Sequence, residues 1–281
     1  MLVAPDIARS KLRNWQSQNL PALRLRSEVV SAYFDRVTLI AYTFPRDPKD
    51  FDYVEFSIRH SWRLLGMLKT VVIADRMTGS LVAFKESNPK FVDVQIEPSL
   101  QVGDVPSMSV DCIERLHQRF STPHCLIVQD DGFPLRDNLG DFLGRYDFFG
   151  APTYRPSILA PVVDCLRMFG MNGGFSLRSH KICENAAREW RRKPLEKGCL
   201  AQTEDVFYTV TACRNPFYRL KHRLPGSNLA RRFSVIDFDG ALDVHSLGFI
   251  PFGVHGASTA LQYMEHLNEL GYLRPRCVNK I

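Results

Sequence analysis

The sequence predicts an α/β fold: a mostly parallel sheet flanked by helices, in one domain with a helical extension at its amino end. Three observations predict it. Apolar runs of strand length at 37–42, 70–74 and 125–128 show no alternation, as strands buried on both faces do. Between the first two lies a stretch of helical periodicity, and strand, helix, strand in that order is by default a right-handed parallel crossover. The runs end in Thr43, Asp75 and Asp130–Asp131, which puts polar chemistry at the carboxyl edge where open α/β sheets bind ligands.

Taken in order, residues 1–35 read as an amphipathic helical region in which Leu12, Trp15, Leu20, Leu23, Val29 and Phe34 interleave with basic residues. Pro21 is expected to break or kink it. The first strand, 37–42, ends at Thr43–Phe44–Pro45. Val54, Ile58, Trp62, Leu65 and Leu68 recur at helical spacing and predict a helix over 52–68. A strand over 70–75 follows, then an alternating strand at 92–96. Val110, Ile113, Leu116 and Phe120 line one face of a short helix over 110–120, with Ser109 as its cap.

The run Cys125–Leu126–Ile127–Val128 leads straight into Gln129–Asp130–Asp131–Gly132, where Gly132 permits a sharp turn. The second half changes character. Residues 146–152 form a strand closing into a turn, 170–178 a glycine-rich turn feeding a short strand, and 180–192 a helix. Thr203 caps an acidic-started apolar helix over 203–210. An aromatic loop reaches His255, and a last helix over 261–270 precedes a basic tail. The division expected is an N-terminal helical extension over 1–36, a main domain over 37–256, and a C-terminal helix and tail over 257–281.

With 281 residues, 45% hydrophobic and 23% charged, the chain can bury a large core without staples, and long disorder is excluded. Net charge +6 suits an anionic partner: a nucleotide-sugar, a nucleic acid or an acidic membrane surface. Basic residues are densest at 188–193, 219–223 and 231–232, either as solvated faces or as phosphate-tracking patches. The seven cysteines are odd in number and form no CxxC pair, which excludes a zinc knuckle and a disulfide framework and favours a reducing, cytoplasmic setting. The opening residues lack a signal-peptide pattern, and no apolar run has the length of a membrane span. Membrane contact is expected to be peripheral, at the inner membrane surface.

Four elements carry candidate chemistry. Adjacent Asp130 and Asp131 repel each other and are tolerated best beside a cation, such as a divalent metal bridging a diphosphate. A polar turn after a strand is the alternative. Asn172–Gly173–Gly174 brings backbone amides close to an anion or sugar hydroxyl, or makes a hairpin turn. Glu204–Asp205 supplies a general base for an acceptor hydroxyl, or simply suits a helix start. His255 ligates a metal or touches a diphosphate, or is structural.

The order of these elements resembles the fold-A (GT-A) glycosyltransferases. More narrowly it resembles a bacterial and viral group within them that reads Q-x-D-G, Y-D-[FY]-[FI]-G-A-P, N-G-G-F-S-L-R, E-D-V and P-F-G-x-H-G. Residues 129–132, 146–152, 172–178, 204–206 and 251–256 carry the pattern. The resemblance implies a Rossmann-type GT-A domain and a nucleotide-sugar donor, a UDP-sugar first. Tyr42, Thr43 and Asp75 are then base and ribose contacts, and Asp130 and Asp131 donor contacts. Asn172, Gly173 and Gly174 would position sugar and acceptor. It implies Asp131 and His255 as ligands of Mn2+ or Mg2+, and Glu204–Asp205 as the acidic pair whose second member is the base of an inverting hexosyl- or pentosyltransferase. Gln-Asp-Asp-Gly departs from the usual Asp-x-Asp and leaves one carboxylate at the metal position. The acceptor implied is a glycan or lipid-linked glycan. Two alternatives stay open: a phage-type transfer onto a hydroxylated base of DNA, gripped by the basic clusters, and a non-catalytic binding protein on the same fold.

Overall fold

The structure is a computed structural model that describes residues 5–24, 29–44, 50–100, 105–153, 170–192, 204–211, 216–236 and 247–269. Thr203, four of the cysteines and the basic tail lie outside the described residues.

A six-stranded sheet in the order β3-β2-β1-β4-β7-β6 forms the centre. β1 (Val37–Thr43), β2 (Lys69–Ala74), β3 (Val92–Ile96) and β4 (His124–Val128) are mutually parallel. β7 (Gly170–Ser179) runs antiparallel to β4 and to β6 (Phe148–Thr153). The mostly parallel α/β architecture expected from the sequence is the one observed. β1 and β4 are buried at every residue, which is why they read as unbroken apolar runs.

Helices cover both faces. Leu39 and Ala41 of β1 pack with Phe51, Ile58 and Trp62 of α2 (Asp50–Leu65) and with Phe84 of α3 (Gly79–Ser87). On the other face, Ile40, Ile127 and Met171 meet Ile113 of α4 (Val105–Glu114), Leu116 of α5 (Leu116–Arg119) and Ile182 and Trp190 of α6 (His180–Arg192). A three-residue helical turn (Glu204–Val206) widens into a π-helical turn (Phe207–Thr211). It is followed by α7 (Pro216–Lys221) and α8 (Ser227–Phe233).

A second sheet, in the order β5-β9-β8, joins Gly132–Pro134 to Gly253–His255 and Ser234–Ile236. Its Phe133, Val254 and Val235 share a core with Ala8, Leu12, Trp15, Leu20 and Leu23 of α1 (Pro5–Arg24). Ala260 of α9 (Ala257–Gln262) and Leu267 of α10 (Met264–Glu269) complete that core. The amino-terminal helix is thus packed into the body of the protein. Arg24 Nε also donates to Glu55 Oε1 of α2 at 3.0 Å.

Four expectations need correction. α1 continues through Pro21 to Arg24. A proline this close to a helix end removes one bond of the ladder, and buried Leu20 and Leu23 hold the last turn on the core. The helix expected over 110–120 begins five residues earlier and is interrupted at Arg115, so Ser109 lies inside it rather than capping it. The glycines of 170–174 lie within a ten-residue strand, not in a turn. The last helix is two short ones, starting at Ala257.

Candidate functional site

β4 delivers its carboxylates on a two-residue hairpin. Gln129 N donates to Gly132 O at 3.0 Å and Gly132 N to Gln129 O at 3.2 Å, which leaves Asp130 and Asp131 at the tip. β7 is antiparallel to β4 with Ser176 opposite Ile127, so its Asn172–Gly174 end lies at the same edge. β9 pairs with β5 so that His255 stands opposite Gly132, and Gly256 N donates to Asp131 O at 2.9 Å. These pairings bring one sheet edge together from three distant stretches of chain.

His255 Nε2 lies 3.4 Å from Asp131 Oδ1 and 3.1 Å from Gln129 Oε1, while its Nδ1 is buried without a partner among the described residues. Burial alone would depress the imidazole; Asp131, then Asp130 and Asp205, outweigh it and raise it above the ordinary value. Burial likewise pushes the Asp131 carboxyl up, but His255 and Arg9 outweigh it and hold it at about 2. Asp130 moves the other way, raised first by burial and then by the charge of Asp131. The two adjacent carboxylates are therefore unequal, with Asp131 the firmer anion.

The paired glycines are required sterically. A Cβ on Gly174 would land on His255 Nε2 and Gln129 Oε1, and one on Gly173 would land on Glu204 Oε1 and Arg178 Nη2. Asn172 Oδ1 accepts from Gly174 N at 2.9 Å within the strand.

Glu204 and Asp205 have different surroundings. Glu204 is buried; its Oε1 accepts from Arg178 Nη2 at 2.9 Å and its Oε2 from Ser109 Oγ at 3.4 Å. Glu204 N donates to the same Ser109 hydroxyl at 3.2 Å. Arg178 is fully buried, lies over the Phe148 and Tyr208 rings at 5.0 and 4.7 Å, and also donates to Cys112 Sγ and Ser176 Oγ. Asp205 is half-buried; its Oδ1 accepts from Val206 N at 2.7 Å, and it is near enough to raise His255.

The donor contacts expected at the other strand ends diverge as well. Tyr42 is buried, with its hydroxyl donating to Asp111 Oδ2 at 3.0 Å, and Thr43 is buried. Asp75 lies just past β2; its Oδ2 is 3.9 Å from Arg76 Nε and its Oδ1 is buried without a partner among the described residues.

The residues the sequence reading missed come from α1. Arg9 Nη2 lies 3.5 Å from Asp131 Oδ2, Arg13 Nη2 3.2 Å from Asp130 Oδ2, and Gln16 Nε2 donates to Asp130 O at 2.5 Å. Their spacing at i, i+4 and i+7 puts them on one helix face, a legible signal, but nothing in the sequence said what that face meets. Part of the basic clusters has local partners. Arg188 and Arg192 pair with Glu184 and Glu189 of their own helix. Arg223 N donates to Asp147, and Lys221 O accepts from Lys181, both beside the opposite end of β7.

Asp131 Oδ1 and His255 Nε2, 3.4 Å apart, can both reach one divalent ion at roughly 2.1 Å. Among the described residues no group of three or more Asp, Glu, His or Cys forms a metal site. The donor set therefore fits an ion that completes its shell with diphosphate oxygens, as hard cations do when bound by one or two carboxylates plus substrate phosphates.

The family described as "Protein of unknown function (DUF5672)" matches residues 109–255, over half of the chain. No curated protein matches it. Among solved structures, the chain is similar to the mannosyltransferase PcManGT from Pyrobaculum calidifontis in complex with GDP-Man and Mn2+, at 15% identity and a TM-score of 0.37, over 63% of this chain and 55% of that one. It thus spans about half the length of that protein. It is also similar to the mannosyltransferase Ktr4p from S. cerevisiae in complex with GDP, at 10% identity and a TM-score of 0.45, over 81% and 78% of the two chains. A third is mouse xyloside xylosyltransferase 1, at 13% identity and a TM-score of 0.43, over 79% and 97%.

Proposed function

The chain belongs to the family described as "Protein of unknown function (DUF5672)", whose matched residues include the Asp130–Asp131 tip, the Gly173–Gly174 pair, Asp205 and His255, and we propose that the edge these residues form transfers a sugar from a nucleotide-sugar donor to an acceptor hydroxyl. The observation that carries the reading is the convergence of Asp131, His255, Gly174 and Asp205 at the carboxyl edge of a parallel sheet, the position at which such sheets hold nucleotides.

Asp205 is the base. Glu204 is bonded into the core by Arg178 and Ser109, whereas Asp205 is half open. Asp205 takes the proton of the acceptor hydroxyl as its oxygen bonds to the anomeric carbon. The bond from that carbon to the donor phosphate breaks, the nucleoside diphosphate leaves, and configuration inverts. Asn172 and the glycine backbone place sugar and acceptor. Asp131 and His255 would hold Mn2+ or Mg2+, which when bound neutralises charge on the departing diphosphate. Asp75, with its unpartnered buried oxygen at the end of β2, is the ribose contact. The donor is a UDP-sugar and the acceptor a glycan or lipid-linked glycan. Among the described residues no helix is long and apolar enough to cross a membrane.

A thermal-shift screen over nucleoside diphosphates and nucleotide-sugars, with and without manganese, tests the donor by mass action. A raised midpoint together with slow donor hydrolysis supports transfer. A raised midpoint without any turnover indicates a binding protein, and no response to any nucleotide rejects the reading.

A further inference from the structure

We propose that α1 supplies the cationic wall of the diphosphate site, with Arg9 donating to the phosphates and Arg13 adding charge beside it. The proposal rests on the donor reading above and adds residues that lie outside the family match, which begins at residue 109.

The starting point is charge. A diphosphate brought to Asp130 and Asp131 meets two carboxylates, and the face above them must be positive for it to stay. α1 provides that face. Arg9 and Arg13 stand one turn apart and reach Asp131 and Asp130 respectively, while Gln16 bonds the Asp130 carbonyl and fixes the helix against the hairpin tip.

Arg9 has donors to spare, while Arg13, committed to Asp50 and Asp130, adds positive charge behind it. Arg9 makes one long contact, at 3.5 Å, from a group with five donors, and its side chain is 56% exposed. Arg13 spends its two terminal nitrogens on Asp50 and Asp130, its Nε is buried without a partner among the described residues, and its guanidinium lies 4.6 Å over the Tyr53 ring. Planar guanidinia suit phosphate oxygens two at a time. The helix that carries them is anchored by Leu12, Trp15, Leu20 and Leu23, so their backbone is in place before the ligand arrives.

Two cations beside the Asp131–His255 pair mean that anion binding does not wait for a divalent ion. Inorganic pyrophosphate titrated calorimetrically in EDTA is the direct probe, because it removes both the base and the metal from the question. Wild-type protein is expected to bind it. Arg9→Gln and Arg13→Gln are each expected to weaken binding about tenfold or more. Arg9 is exposed, so Arg9→Gln should leave the melting temperature unchanged and serves as the variant whose folding is not at issue. Wild-type protein that ignores pyrophosphate in EDTA, or an Arg9→Gln protein that binds it as wild type does, would overturn the proposal. UDP and GDP titrated in parallel separate the two readings. Tight nucleotide binding that is indifferent to both arginines leaves the transferase standing and removes α1 from it. Pyrophosphate binding without any nucleotide binding keeps the arginine site and removes the donor.

Discussion

At the scale of single residues, Glu204 and Asp205 are adjacent carboxylates with different predicted consequences. Glu204→Gln takes the anion away from fully buried Arg178 and should cost about 3–5 kcal/mol of stability, the range for breaking a buried pair. Asp205→Asn changes a half-buried side chain and should leave stability within about 0.5 kcal/mol, yet reduce turnover roughly a hundred- to ten-thousand-fold. Melting curves beside donor-consumption rates check both, and near-normal turnover in Asp205→Asn eliminates it as the base. Gly174→Ala pushes a methyl group into His255 and Gln129, at an expected cost of about 1–3 kcal/mol and with loss of donor-induced stabilisation. Unchanged donor affinity in that variant means His255 has no part in binding. The sequence showed the acidic pair but not which member is tied into the core, because that is decided by Arg178 and Ser109, distant in the chain.

At the scale of elements, what was legible follows from how many faces an element buries. β1, β2 and β4 were read almost to the residue because burial on both faces leaves an unbroken apolar run. β7 was misread at its start because glycines read as a turn, whereas here they make room for Glu204 and His255. β5 and β8, three residues each, are too short to carry a period. α1 was legible as an amphipathic helix, but its partner was not, and it was set apart as an extension over 1–36. Its buried Leu12 shares a core with Phe133 and Val254, so Leu12→Ala should lower the stability of the whole protein by about 2–5 kcal/mol in a single transition. Leu220→Ala, exposed on α7, should change nothing measurable. A denaturation curve in which Leu12→Ala adds an early minor transition and leaves the main one unmoved would mean that α1 unfolds as a separate unit.

At the scale of the whole molecule, these buried groups set the response to acid. His60 lies inside the α1–α2–β5 core, its ring stacked on Phe56 and its Nε2 2.7 Å from Pro134 O. Burial, with lesser repulsion from Arg63 and His266, holds its pKa at about 3, and its unfolded value is near 6.5. The unfolded chain therefore binds the extra proton first. This stability is complete above about pH 6.5 and is lost as pH falls toward 3, by at most about 1.4 kcal/mol per unit. Three carboxylates act lower down, Asp131 at the site among them. Glu97 is held at about 2 by Ser99 Oγ and then by Arg115 and Arg119, and Asp147, although burial raises it, is held at about 2 by His222, Arg223 N and Ser179. Their contribution is present above about pH 4 and is lost as pH falls toward 2. With a net charge already at +6 at neutral pH, each proton also adds to self-repulsion. Stability measured by denaturant titration should therefore decline in two stages, a gentle one from pH 6.5 and a steeper one below pH 4. His60→Gln keeps a donor for the Pro134 carbonyl but cannot titrate, so it should make the first stage shallower, with His117 and His124 still contributing, and leave the second intact. An unchanged slope between pH 6.5 and 4 in that variant means His60 is not the group that protonates on unfolding.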